Sequence, residues 1–123
     1  MVPDRGVKAM ADTGLTLLKG TLDVLILRTL GWTPMHGYAI SRWIRERSGE
    51  LFRIEEGALY PALRRLEERG LIMGEWALTE TQREAKVYRL TPEGRKQLRA
   101  ELRDWTRYVD AMSRVLQPEA TGG

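Results

Sequence analysis

Gly57-Ala58-Leu59-Tyr60-Pro61-Ala62-Leu63-Arg64-Arg65-Leu66-Glu67-Glu68-Arg69-Gly70, continued by Leu71-Ile72-Met73-Gly74-Glu75-Trp76-Ala77-Leu78, is the stretch whose reading decides the fold. In its first half Leu59, Ala62, Leu63 and Leu66 recur at three- and four-residue intervals, the stripe of a helix with one buried side. Tyr60, Arg64, Glu67 and Glu68 take the opposite side and the helix ends. A helix is expected over Gly57 to Arg69, with Gly70 as its left-handed cap. Pro61 is expected in the first turn, where a missing N–H costs little because the first four amides have no partner inside the helix. The second half changes period. Trp76 and Leu78 share one face of a strand over Leu71 to Leu78, Tyr88 and Leu90 share one face of a second over Ala85 to Leu90, and Thr79 to Glu84 is the polar loop between them.

Before this stretch, a helical pattern runs from Leu17 through Leu18, Leu22, Leu25, Ile26, Thr29 and Leu30 until Gly31 and Pro34 stop it. A second helix begins near Gly37, groups Tyr38, Ile40, Trp43 and Ile44, turns Arg42, Arg45 and Arg47 largely elsewhere, and ends at Ser48-Gly49. After it, Thr91 is a helix N-cap, with Pro92 at the first helical position and Glu93 in the first turn. Leu98, Leu102, Trp105, Val109, Met112 and Leu116 then follow a 4-3-4-3-4 spacing, the seam of a helix that packs along another helix. Three short helices, a hairpin and a long helix give a mainly α fold with a small β-hairpin wing: a winged helix-turn-helix plus a long C-terminal dimerisation helix. The expected division is a flexible extension over 1–16, a DNA-binding winged helix over 17–90, a dimerisation helix over 91–117 and a disordered tail over 118–123.

Composition narrows the function. The 123 residues are 42% hydrophobic and 30% charged, which suits one domain with a small core. Twenty Lys plus Arg, sixteen of them Arg, stand against 17 Asp plus Glu for a net charge of +3. The excess is spread evenly along the chain, so no basic tail exists and any basic surface must arise by folding. Cysteine is absent, which excludes disulfides, thiolate metal sites and a Cys nucleophile and fits a cytoplasmic location. No apolar run approaches the roughly 20 residues of a membrane span, and no signal peptide is visible. His36 is the only histidine, so neither a metal site nor a Ser-His-acid set can be assembled; it is expected to cap the second helix. Adjacent carboxylates such as Glu55-Glu56 and Glu67-Glu68 do not face each other on a helix and make no acid/base pair. No enzyme, no cofactor and no metal are expected.

On a winged helix, the third helix lays side chains along base edges in the major groove, about 12 Å wide. Tyr60 offers a ring and a hydroxyl, and Arg64 and Arg65 can reach a phosphate or fork onto guanine. Each arginine could equally be a solvated charge paired to a glutamate. The wing loop supplies Arg83 and Lys86 for the backbone or the adjacent minor groove. Glu67 and Glu68 would be repelled by DNA and are expected away from it. The alternative use of such a domain is as an adaptor that binds a partner protein through the same helix and wing.

Leu18-Lys19-Gly20-Thr21-Leu22, His36-Gly37-Tyr38, Gly57 to Glu67 and Tyr88-Arg89-Leu90-Thr91-Pro92-Glu93-Gly94-Arg95 together resemble, in order and spacing, the PadR family of bacterial transcriptional regulators over residues 17 to 117. The single C-terminal helix is similar to that of the short-chain subgroup. The resemblance implies a homodimeric repressor that binds an inverted repeat and releases it on binding a small molecule or when the cell state changes. It places Tyr60 and Arg64 at the DNA and Tyr38 near the phosphates. It also sets Trp105 where some members stack a planar aromatic effector, with Leu18 or Leu22 and Val109 lining the same pocket. A Trp on such a seam is more often core than a ligand platform. Val87 departs from the aromatic residue that many members carry there, and the chain before Leu15 exceeds the usual start.

Overall fold

The computed structural model describes residues 20–118; the expected N-terminal extension, Leu17, Leu18 and the tail from 119 lie outside the described residues. In chain order the elements are α1 (Thr21–Trp32), β1 (Met35–His36), α2 (Gly37–Arg47), α3 (Glu56–Glu68), β2 (Ile72–Leu78), β3 (Glu84–Leu90) and α4 (Pro92–Leu116). The mainly helical fold with a small β wing is the one expected, with one addition. The sheet has three antiparallel strands in the order β1-β3-β2, because Met35 pairs with Tyr88 and His36 with Val87 beside the hairpin. A two-residue strand is too short to show a period, so pairing rather than pattern reveals it.

The core gathers Ile26, Leu27 and Leu30 from α1, Ile40 and Ile44 from α2, the stripe Leu59, Ala62, Leu63 and Leu66 from α3, and Leu71, Ile72, Tyr88 and Leu90 from the hairpin base. Each fully buried Leu or Ile contributes about 1.5–3 kcal/mol relative to exposure. Thr29 is buried among them, and its hydroxyl donates to the Leu25 carbonyl at 2.8 Å, so no polar atom is left without a partner there. α4 lies against α1 where Gly31 meets Leu98, whose Cδ2 stands 2.9 Å from where a Cβ on Gly31 would be.

Two caps fix the wing and α4 to α3. Gly70, at φ 76°, ends α3 in the left-handed conformation that glycine adopts without steric cost, so the Gly70 N–H reaches the Glu67 carbonyl and the Leu71 N–H the Leu66 carbonyl, both at 3.0 Å. The Thr91 side chain then serves both elements: its hydroxyl donates to the Gly70 carbonyl at 2.7 Å and accepts from the Gly94 N–H at 3.0 Å. Pro61 corrects the sequence expectation. With α3 beginning at Glu56, the proline sits inside the helix and not in its first turn. Its missing N–H frees the carbonyl four residues back, on Gly57, and Gly57 is exposed, where water can take that carbonyl.

Candidate nucleic-acid interface

α3 presents Tyr60 and Arg64, four residues apart and both exposed, on the side away from its core stripe. Tyr60 is 40% exposed, and its inner edge rests on the first turn of α2. A Cβ on Gly37 would stand 2.7 Å from the Tyr60 hydroxyl, so Gly37 keeps this space open and the tyrosine links the two helices. That turn of α2 is closed by His36, whose Nδ1 accepts from the Ala39 N–H at 3.3 Å, the capping role expected of the histidine. Tyr38, 61% exposed, follows directly, with the Arg42 guanidinium 5.5 Å from its ring centroid. Sequence reasoning missed Arg42 as a neighbour of this cluster. The signal was the four-residue spacing that stacks a cation on an aromatic ring one turn away.

Two of the expected contacts stand elsewhere. Arg65 is held by Asp23 of α1 at 2.9 Å, with Arg69 at 3.9 Å from the same carboxylate, so it ties α3 to α1 and is not gathered with Tyr60 and Arg64. Lys86 lies on β3 rather than in the wing loop, opposite Trp76. Its ammonium stands 3.2 Å from Glu67 Oε1 and 5.7 Å from the Tyr88 ring centroid. The Glu67 carboxylate, which electrostatics alone would keep clear of the DNA side, is thereby neutralised against the wing. Burial raises the pKa of the Tyr88 phenol above its ordinary value; nearby Lys86 opposes the rise and Glu67 adds to it.

Arg83 does stand in the wing loop, and it is exposed. The loop is closed by the Thr79 N–H on the Arg83 carbonyl at 2.8 Å, the Gln82 N–H on the Thr79 carbonyl at 2.9 Å and the Arg83 N–H on the Thr79 hydroxyl at 3.2 Å. Gln82 takes φ 65°, in the left-handed region that few non-glycine residues adopt. On the outer part of the hairpin, Trp76 and Leu78 share the expected face but are 68% and 65% exposed, because that face meets the core only at its base.

The α4 seam has two regimes. Leu98 packs on the core, whereas Leu102, Trp105, Val109, Met112 and Leu116 are exposed, joined by Tyr108 and Val115. Trp105 and Tyr108 stack with centroids 5.7 Å apart and planes 26° from parallel. An open cleft of about 570 Å³ runs between them and the start of α1, bordered by Val24, Glu101 and Asp104. Of the other residues expected beside Trp105, Leu22 packs on the core, Val109 borders a neighbouring hollow with Met112, and Leu18 is outside the described residues. Among the described residues no three His, Cys, Asp or Glu side chains form a group that could hold a metal, and no helix is long and apolar enough to cross a membrane.

Residues 26–100 match the family model of the transcriptional regulator PadR-like family. The negative transcriptional regulator PadR of Bacillus subtilis is 31% identical over 84 residues, 68% of this chain but 44% of that protein. A PadR family transcription regulator from Clostridium difficile superposes with a TM-score of 0.71 at 31% identity, covering 79% of this chain and 99% of that one. Bacillus subtilis PadR in complex with operator DNA superposes with a TM-score of 0.61 at 28% identity, over 69% of this chain and 48% of that chain.

Proposed function

The chain belongs to the PadR-like family of transcriptional regulators, and from that premise we propose that it is a sequence-specific DNA-binding regulator, a homodimeric repressor acting on a pseudo-palindromic operator. The observation that carries this reading is the pair Tyr60 and Arg64, exposed on the outer face of α3 beside Tyr38 and the wing. A helix carrying such a pair suits a major groove: the arginine forks onto guanine O6 and N7 or a phosphate, and the tyrosine hydroxyl reaches a phosphate or a base edge. Tyr38 and Arg42 at the start of α2 face the backbone of the same site, and Arg83 at the wing tip takes the adjacent phosphates or minor groove. The described part of residues 17–90 is the DNA-binding unit in this reading.

Residues 91–117 are the dimerisation helix. The exposed apolar stripe from Leu102 to Leu116 is larger than a lone helix face keeps in water, and a second copy of α4 covers it. Two subunits then present their α3 helices to half-sites about one helical turn, roughly 34 Å, apart. The cleft at Trp105 suits a planar aromatic effector, which the stacked Trp105 and Tyr108 rings would hold. Release of DNA follows if such a ligand shifts α4 against its mate and so changes the half-site spacing.

Affinity of point variants for duplex DNA from upstream of the protein's own gene tests the assignment. Arg64→Ala is expected to weaken binding by about tenfold or more without lowering the melting temperature, since one bidentate base contact is worth about 1–3 kcal/mol. Tyr60→Phe keeps the ring and removes only the hydroxyl; because that hydroxyl also stands beside Gly37, a loss of affinity belongs to the DNA contact when the variant melts at the parent's temperature. Unchanged affinity in both variants would remove α3 from the interface.

A further inference from the structure

The Glu67 carboxylate is an anomaly on a DNA-facing surface. It lies on α3 one turn beyond Arg64, where a negative charge opposes phosphate, yet both of its oxygens are committed to the wing. Oε2 accepts the Gly74 N–H at 3.3 Å, and Oε1 accepts from the Lys86 ammonium at 3.2 Å. Gly74 is on β2 and Lys86 on β3, so one carboxylate grips both strands of the hairpin. β2 is an edge strand, and this Gly74 N–H is directed at α3 and not at β3.

The surroundings are shaped to the grip. A Cβ on Gly74 would stand 2.6 Å from Lys86 Cε and 3.1 Å from Cγ, so the lysine stem lies directly over the glycine on its way to α3. The Tyr88 ring lies 5.7 Å from the ammonium. Along β2 the buried Ile72 precedes Gly74 and the exposed Trp76 follows it, which puts the grip where the hairpin leaves the core. Among the described residues no other side-chain hydrogen bond or ion pair joins α3 to the hairpin.

We infer that Glu67 is a positioning residue for operator binding: it fixes the angle of the wing to α3 through Gly74 and Lys86, so that Arg83 arrives at the DNA already oriented. The inference rests on the DNA-binding reading above. Its signature is a sign. Removing a negative charge from a DNA-binding face strengthens binding by simple electrostatics. Removing the grip weakens it, because a freed wing must be ordered again on binding.

The test compares Glu67→Ala, Glu67→Gln and, as a charge control on the same helix, Glu68→Ala, each measured for operator affinity and, in the free protein, for amide hydrogen exchange. Glu67→Ala is expected to bind about tenfold more weakly than the parent, with faster exchange from Gly74 through Lys86 and unchanged exchange in the α1 and α3 core. Glu67→Gln retains an acceptor for Gly74 and falls between the two, while Glu68→Ala binds as tightly as the parent or tighter. Glu67→Ala binding as tightly as the parent or tighter, or leaving wing exchange unaltered, overturns the inference. If the alanine variant does not fold, Glu67→Gln decides: tighter binding than the parent overturns it, weaker binding with faster wing exchange supports it. A parent protein that ignores DNA sequence defeats the proposed function instead, and the exchange data on the free protein still decide whether Glu67 holds the wing.

Discussion

The same substitution, glycine to alanine, should have opposite effects at two helical positions of this protein. At Gly94, in the first turn of α4, a Cβ would stand 2.0 Å from the Leu71 carbonyl oxygen, where a carbon–oxygen contact needs about 3.3 Å. The oxygen belongs to backbone and cannot swing aside, so α4 must withdraw by roughly 1 Å. Two hydrogen bonds cross that contact: the Thr91 N–H to the Leu71 carbonyl at 3.1 Å and the Thr91 hydroxyl to the Gly70 carbonyl at 2.7 Å. Weakening both costs about 2 kcal/mol, overpacking adds about 1–3 kcal/mol, and the better helix propensity of alanine returns about 1 kcal/mol. The net loss is about 3 kcal/mol, read as a fall in melting temperature of about 10 °C or more. At Gly57, on the exposed start of α3, nothing lies within 4 Å of the added Cβ, so only propensity acts and the variant gains about 0.5 kcal/mol. Thermal unfolding of both variants by circular dichroism checks the pair. A Gly94→Ala protein as stable as the parent would refute the reasoning that α4 is docked on the hairpin base through this contact.

Two other outcomes follow, the first from the proposed dimer and the second from the structure. Leu102→Glu places a charge in the α4 seam and is expected to leave a folded monomer at micromolar concentration, as read by sedimentation; a surviving dimer would contradict the seam. Because burial raises the Tyr88 pKa in the folded state, the stability this protonated phenol contributes is complete below the unfolded value of about 10 and is lost as pH climbs through the folded value. Denaturant midpoints should therefore fall more steeply above about pH 10 in the parent than in Tyr88→Phe; equal slopes would refute it.

Much of the fold is legible because several signals agree at the same residue. Thr91 with Pro92 announces the start of α4, and its hydroxyl does accept from the Gly94 N–H. The stripe Leu59, Ala62, Leu63 and Leu66 is the buried face of α3. What pattern could not give was pairing across the chain. β1 is two residues long and exists only because β3 lies beside it. Arg65 reads as a free cation until α1 brings Asp23 within 2.9 Å. Lys86 and Glu67 are nineteen positions apart, and neither residue read alone suggests that the two form an ion pair. Tyr60 was legible as an exposed aromatic residue, but its packing on Gly37 depends on the angle between α2 and α3, which spacing does not encode.

The central claim is that the folded protein reads DNA sequence, and the most direct measurement is fluorescence anisotropy on duplex DNA from its own upstream region against scrambled duplex, at about 50 mM and about 200 mM salt. Binding that prefers the upstream sequence and weakens by at least about tenfold at the higher salt is the predicted result, since each phosphate neutralised releases counterions. Binding that is weak, indifferent to sequence and flat with salt would contradict the account.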